Sequence, residues 1–389
     1  MATLILNGEV FAPEPVGRKD ILVAGGSIEA VAEPGRIRLD GLEVEVLDAT
    51  GKRVLPGLVD PHVHILGGGG EGGPATRAPE IRVEDIVSSG VTTVIGCLGT
   101  DGVTRHMTSL LAKARALEIE GLSTFIFSGS YEIPVRTLTG GVRSDLIIID
   151  KVVGAGEIAV SDHRSSQPTF DEVARLAAEC RVGGMLGGKA GALHLHLGDG
   201  KRKLELLFRL IGETEIPATQ VIPTHANRNR ELFEDSLRWV ASGGAIDVTV
   251  GPDPAPDDPD VSLEDCVRAF LERGLPLERL MASSDSNGSL PVFDASGKLV
   301  RLTVATEKDF IRKFRDLVLK NVLPLDKAVR LFSTNAAGFY KLAGKGRIVP
   351  GADADLILVD KDLALRDVFA RGRRMMSGGR LLARGTFSE

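Results

Sequence analysis

The chain has 389 residues, a formal net charge of −6 and 26% charged residues. That length holds a full barrel plus a small second domain, and the near balance of charge, with no basic stripe, argues against a nucleic-acid partner. No apolar run reaches membrane-spanning length and no signal-peptide pattern precedes the first strand, so no membrane partner is expected. Cys97, Cys180 and Cys266 are widely spaced and match neither a disulfide framework nor CxxC, which fits a reducing cytoplasm.

Residues 1–54 read as short strands, LILNGEVF, DILVAGGSIEAVA and EVEVLDATGKRVL, punctuated by Gly and Asn. The C-terminal stretches GRIVPGADADLILVD and VFARGRRMMSGGRLLARG have the same texture. Both ends are expected to form one small β-sandwich domain (1–54 with 344–389) around an inserted domain, 55–343. Within the insert, VLPGLVD (54–60) is followed by TTVIGCL (92–98), STFIFSG (123–129), EIAVSD (157–162), ALHLHL (192–197), QVIPTH (220–225), AIDVTV (245–250) and RLMASSD (279–285). Helix-like segments such as TFDEVARLAAECR lie between them. Eight strands alternating with helices predict an α/β fold, a parallel (β/α)8 TIM barrel.

Active sites of such barrels lie at the C-terminal ends of the strands. The first strand runs into GLVDPHVHILGGGGEGG (57–73), where His62 and His64, two apart, face the same way and can reach one metal ion. The glycine-rich loop that follows carries Glu71 and lets backbone approach a ligand. Further polar residues gather at the other strand ends: Thr100 after the second, Tyr131 after the third, and Glu157 opening the fourth with Asp162, His163 and Arg164 closing it. His196 ends the fifth, His225 and Arg228 follow the sixth, and Asp285 and Ser289 follow the eighth. His194 shares a strand face with His196 but lies deeper. His163 reads as a supporting group and His106 as solvated. Asp60 and Asp247 are open between hydrogen-bonding a ligand and holding backbone.

HxH after strand one, single histidines after strands five and six, and Asp after strand eight resemble the amidohydrolase superfamily. HVHILGGGGEGGPATR, LGTDG, SGSYEIPVRTLTG, SDHRS, HLGD, PTHANRN and SSDSNGS resemble, within it, the isoaspartyl (β-aspartyl) dipeptidases over nearly the whole chain. The resemblance implies a homo-oligomeric zinc hydrolase with two Zn2+ per chain. His62, His64 and Asp285 would hold one ion, His196 and His225 the other, with a shared hydroxide as nucleophile. One position departs. The family commonly bridges its metals with a carboxylated lysine seven residues before the arginine of SDHR, and here that residue is Glu157. A glutamate is already a carboxylate and is expected to bridge without carbon dioxide; Lys151 is out of register. The alternative is that Glu157 pairs with an arginine and the site holds one metal.

An isoaspartyl dipeptide presents two carboxylates and one ammonium around the scissile amide. The resemblance assigns Glu71 to the α-ammonium and Arg164 and Arg228 to the carboxylates, with short polar contacts from Gly69, Thr100 and Ser289. Attack of the shared hydroxide on the side-chain amide is expected to use Asp285 as general base and then acid, with the Tyr131 phenol on the oxyanion. Rim salt bridges are the plainer alternative for the two arginines. The rival functions are hydrolysis of cyclic amides, as in dihydroorotases and hydantoinases, or of N-acyl amino acids, and a catalytically silent scaffold.

Overall fold

A computed structural model describes residues 2–41, 43–253, 259–293 and 298–388. Six parallel strands form one sheet in sequence order: Leu58–Val63 (β1), Val91–Gly96 (β2), Ser123–Ser128 (β3), Val152–Val160 (β4), Ala192–Leu197 (β5) and Val221–Thr224 (β6). Ile246–Thr249 (β7) pairs in parallel with Leu280–Ser283 (β8). The last strand meets the first where the His64 amide donates to the Ser286 carbonyl at 2.9 Å and the Ser284 amide donates to the Asp60 carboxylate at 3.2 Å. Helices such as Met107–Ile119, Phe170–Gly187 and Arg230–Ala241 lie between the strands in sequence. The domain is TIM-barrel-like.

The strands are apolar and buried on both faces, as parallel strands must be. Period-two alternation then sorts their side chains. In β5, Leu193, Leu195 and Leu197 join the large core cluster between sheet and helices. Ala192 joins the smaller interior cluster with Val59, Ile95, Phe127, Val153, Ile222 and Met281. His194 and His196 share that inward face.

β4 breaks the alternation. Leu193 pairs with Ala155 and Leu195 with Ile158, so Gly156 and Glu157 both stand opposite His194. This is a β-bulge, which adds a residue to one strand and re-aims a side chain. It turns Glu157 inward while Ile158 and Val160 return to the outer core. Residue 156 must be glycine, because a Cβ there would lie 2.7 Å from His194 Cβ. The expectation that this strand opens at Glu157 is corrected: it begins at Val152. Gly154 and Gly156 weaken the strand signal of its first half.

The run 54–60 is also two strands rather than one. Arg53–Pro56 pairs with Thr3–Phe11 and with Leu356–Val359, whereas β1 starts at Leu58. Gly57 marks the break, since a Cβ there would stand 2.2 Å from Thr92 Oγ1. Strands from both ends of the chain thus meet in one nine-stranded sheet, with Ile5, Val10, Ile21, Leu356 and Phe369 in its own core. The segment after the last long helix packs under the barrel. Asn335 Nδ2 donates to the Leu277 and Leu280 carbonyls at 2.8 Å, and Tyr340 enters the interior cluster.

Lys345 joins the terminal sheet to the barrel. Its buried ammonium lies 2.6 Å from Asp355 Oδ2 and also donates to Ser123 Oγ at the start of β3. Lys345→Ala would leave Asp355 buried without a counter-charge, holding only the Arg371 amide and the Thr93 hydroxyl, and should cost about 3–5 kcal/mol of unfolding free energy in urea. A loss below about 1 kcal/mol, the scale of an exposed pair, would show that this contact does not hold the two parts together.

Candidate active site

His62, His64, Glu157, His196, His225 and Asp285 are all buried and converge at the C-terminal mouth of the barrel. Glu157 is their hub. Its Oε2 lies 3.0 Å from His196 Nδ1, 3.4 Å from His62 Nε2 and 3.6 Å from His225 Nε2, and its Oε1 lies 3.3 Å from His64 Nε2. Asp285 Oδ1 lies 3.0 Å from His64 Nε2 and 3.4 Å from His62 Nε2. Donor atoms of His62, His225 and Asp285 lie within 4.8 Å of one another, as do those of Glu157, His196 and His225. His225 is common to both sets.

His62 Nε2, Glu157 Oε1 and Asp285 Oδ1 are buried without a hydrogen-bond partner. Orphaned polar atoms are costly in a protein interior, and an ion removes that cost. Imidazole plus carboxylate is a donor set that suits zinc and related divalent ions. These residues can hold metal. Burial opposes ionisation of Glu157, but the charges of His62 and His196 outweigh it and hold the carboxyl well below its usual range. Asp285 likewise stays ionised, with a pKa of about 2; burial opposes this, and the neighbouring imidazoles of His64 and His225 prevail. His225 and Asp285 both sit in the left-handed region, at φ 58° and 53°. Such backbone strain, of order 1–3 kcal/mol each, persists where surrounding structure over-determines it.

The rim forms a second cluster. Thr100 Oγ1 and Ser289 Oγ donate to Glu71 Oε1 at 3.0 and 2.9 Å, and Arg164 Nη1 lies 3.4 Å from it. Glu71 Oε2 is buried and unpartnered. Arg164 does make a rim salt bridge, with Nε and Nη2 at 3.1 and 2.8 Å from the two oxygens of Asp162. Its Nη1 remains turned toward Glu71. Arg228 stands further out, 3.8 Å from Asp162 Oδ2. The Tyr131 hydroxyl lies 2.9 Å from His196 Nδ1. Burial first, then the Glu157 charge, pushes this phenol well above its ordinary value, so it keeps its proton.

Sequence reasoning gave no role to three residues here. Asp162 accepts from His196 Nε2 at 3.1 Å as well as from Arg164, and its place inside SDHR was the available signal. Cys97 brings its Sγ to 3.8 Å from His64 Nδ1, and nothing but its position at a strand end pointed there. Arg105 is buried and donates to the carbonyls of Leu66, Gly68, Gly69 and Ala78, stapling the glycine-rich loop; it gave no signal within a helix-like stretch. Gly69 itself, at φ 81°, lies in that stapled loop, and a Cβ there would meet the Thr76 carbonyl oxygen at 2.5 Å.

Other expectations resolve simply. His163 is exposed and His194 is buried. His106 is exposed just ahead of helix Met107–Ile119, beside Ser109 Oγ at 3.0 Å. Lys151 donates to the Thr124 carbonyl at 3.1 Å and pairs with Glu118, at the far end of β4. Asp60 accepts from the His62 and Ser284 amides, and Asp247 from the Thr224 and Ser283 hydroxyls. Both aspartates therefore tie strand ends together.

Residues 262–380 match the amidohydrolase family. The chain is similar to a solved β-aspartyl dipeptidase of Fervidobacterium islandicum AW-1, in complex with a β-Asp-Leu dipeptide: 45% identity, TM-score 0.92, 99% of this chain and 100% of that one. A second structure of that organism's β-aspartyl dipeptidase gives 43% and 0.90, over 99% and 100% of the two chains. Dihydropyrimidinase of Brevibacillus agri shares the fold alone, at 16% identity and TM-score 0.66 over 99% of this chain and 97% of that one. An adenine deaminase of Halalkalibacterium halodurans is 25% identical over 97% of this chain, which spans 58% of that relative's length.

Gly288 is part of the cradle. A Cβ there would lie 2.4 Å from Asp285 Oδ1 and 2.8 Å from His64 Cδ2. Gly288→Ala should therefore weaken metal binding about 10–100-fold, the scale seen when a ligand's support is lost. Elemental analysis after dialysis against chelator measures this, and a metal content equal to that of the parent protein would show that the cluster needs no such room.

Proposed function

The chain belongs to the β-aspartyl dipeptidases of the amidohydrolase superfamily, and from that premise we propose that it hydrolyses β-aspartyl dipeptides with the help of two zinc ions. The observation that carries the substrate class is Glu71. Its Oε2 is buried and unpartnered, while Thr100, Ser289 and Arg164 occupy the neighbourhood of Oε1. A free α-ammonium is the partner such an oxygen lacks, and cyclic amides have none to give. Dihydroorotase- or hydantoinase-like chemistry would leave Glu71 without a task.

In this reading His62, His64 and Asp285 hold one ion and His196 and His225 the other, with Glu157 shared. Glu157 Oε1 faces His64, and Oε2 faces His196 and His225 as well as His62, so its carboxylate touches ligands of both ions, which supports a bridge by glutamate in place of a carboxylated lysine. Zinc bound there would supply water acidic enough to react at neutral pH and would polarise the scissile carbonyl. The protein's own groups do the rest. Arg164 and Arg228 bind the substrate carboxylates, and Glu71 orients the ammonium. Asp285 takes a proton from the attacking water and passes it to the leaving amine as the C–N bond breaks. The neutral Tyr131 phenol donates to the oxyanion that forms on the amide oxygen.

We further take 1–54 and 344–389 as one small β-sandwich domain around the 55–343 barrel, a division supported by the pairing of Arg53–Pro56 with Leu356–Val359. The free state of Cys97, Cys180 and Cys266 supports a cytoplasmic setting. We also infer a homo-oligomer, from the family alone.

The zinc-loaded protein should cleave β-Asp-Leu and leave α-Asp-Leu intact; equal rates on both, or cleavage of hydantoins instead, would contradict the substrate class. Asp285→Asn should abolish turnover with the fold retained, and Tyr131→Phe should lower kcat by about 10²–10³-fold, the cost of losing one oxyanion donor. Steady-state kinetics on β-Asp-Leu reads both, and an unchanged kcat removes the assigned role.

A further inference from the structure

His194 has no part in that reaction, yet it is 0% exposed and hydrogen-bonded at both ends. Its Nε2 lies 2.9 Å from His62 Nδ1, and its Nδ1 lies 2.9 Å from the Tyr340 hydroxyl. Its ring stacks on Phe127 with centroids 4.5 Å apart and planes inclined by 20°. Tyr340 belongs to the segment that packs under the barrel. A line of hydrogen bonds thus runs from the floor of the barrel to the metal-ligand cluster.

The direction of that line follows from the donor inventory. His62 turns Nε2 toward Glu157 and Asp285, 3.4 Å from each, and this atom has no other partner. A lone pair is free at Nε2 only if the proton of the neutral ring sits on Nδ1. That N–H faces His194 Nε2, which must then accept. His194 is accordingly protonated on Nδ1 and donates to the Tyr340 oxygen. The opposite tautomer of His194 would set N–H against N–H at 2.9 Å.

Metal-ligating histidines generally donate their second N–H to a carboxylate, a carbonyl or water. Here an imidazole takes that place. A third carboxylate beside Glu157 and Asp285 would add a negative charge to a site already holding two. We propose that His194, held by Tyr340 and Phe127, is the positioning residue that fixes His62 in its Nδ1–H tautomer with Nε2 presented to metal. This rests on the metal-site reading above.

The test is zinc affinity by chelator competition, with thermal midpoints of the metal-free proteins measured alongside. His194→Phe should weaken one of the two ions about 10–100-fold. His194→Gln, whose Oε1 can accept from His62, should recover most of that loss. Tyr340→Phe should weaken the same ion by less than His194→Phe does, because it removes only the acceptor that selects the tautomer. If His194→Phe does not fold, a near-native His194→Gln together with a weakened Tyr340→Phe carries the same conclusion. Native affinity in His194→Phe, equal losses in the Phe and Gln variants, or no loss in Tyr340→Phe would each overturn the proposal. A wild-type protein that takes up no zinc would instead overturn the metal-site reading.

Discussion

Glu157 puts a carboxylate inside a barrel, fully buried, with one oxygen lacking any hydrogen-bond donor. An ionised carboxylate in such surroundings is tolerable only if positive charge is held close to it. Four imidazoles are brought within 3.0–3.6 Å of its oxygens, and the charges of His62 and His196 keep it ionised against burial. Asp285 adds a second carboxylate to the same small volume. Protonated imidazoles or divalent cations can balance this pair, but only neutral imidazoles have lone pairs to ligate a metal. The cluster is thus built to be completed by cations.

Much of the backbone serves that arrangement. The bulge in β4 exists where Glu157 must turn inward, and Gly156 lets it pass His194. His225 and Asp285 adopt left-handed backbone at the ends of β6 and β8. Gly288 leaves room for Asp285 and His64. Strands fix the residues that could hold metal, while loops carry the groups that would meet substrate. The glycine-rich loop is an irregular segment made rigid by Arg105, whose guanidinium satisfies four of its carbonyl groups. That rigidity lets Glu71 keep one oxygen occupied and the other open. Precision in a site comes from this kind of support around the functional groups.

The strand order and the residues that converge at the barrel mouth were legible in the sequence because both have short-range signatures. Apolar runs at regular intervals give parallel strands, and HxH, the paired single histidines and the late aspartate mark strand ends. Glu157 could be placed by counting back from Arg164, although the strand around it was misread. Glycines that a bulge requires look, in a sequence, like the absence of a strand. Gly57 hid a change of sheet in the same way, since VLPGLVD has the hydrophobicity of one continuous strand. The roles of Asp162, Cys97 and Arg105 were not legible. Asp162 and Cys97 reach histidines 34 and 33 residues away and Arg105 reaches loop carbonyls 27 to 39 residues away, and no periodicity records such contacts. The pairing of His194 with Tyr340, 146 residues apart, lies further still beyond pattern reading.

The role of Glu157 is tested most directly by diffraction from zinc-loaded crystals at energies either side of the zinc absorption edge. The expected result is two anomalous peaks per chain, with one Glu157 oxygen on each and Lys151 unmodified at the far end of its strand. A single peak, or two peaks joined by a group other than Glu157, would contradict the glutamate bridge.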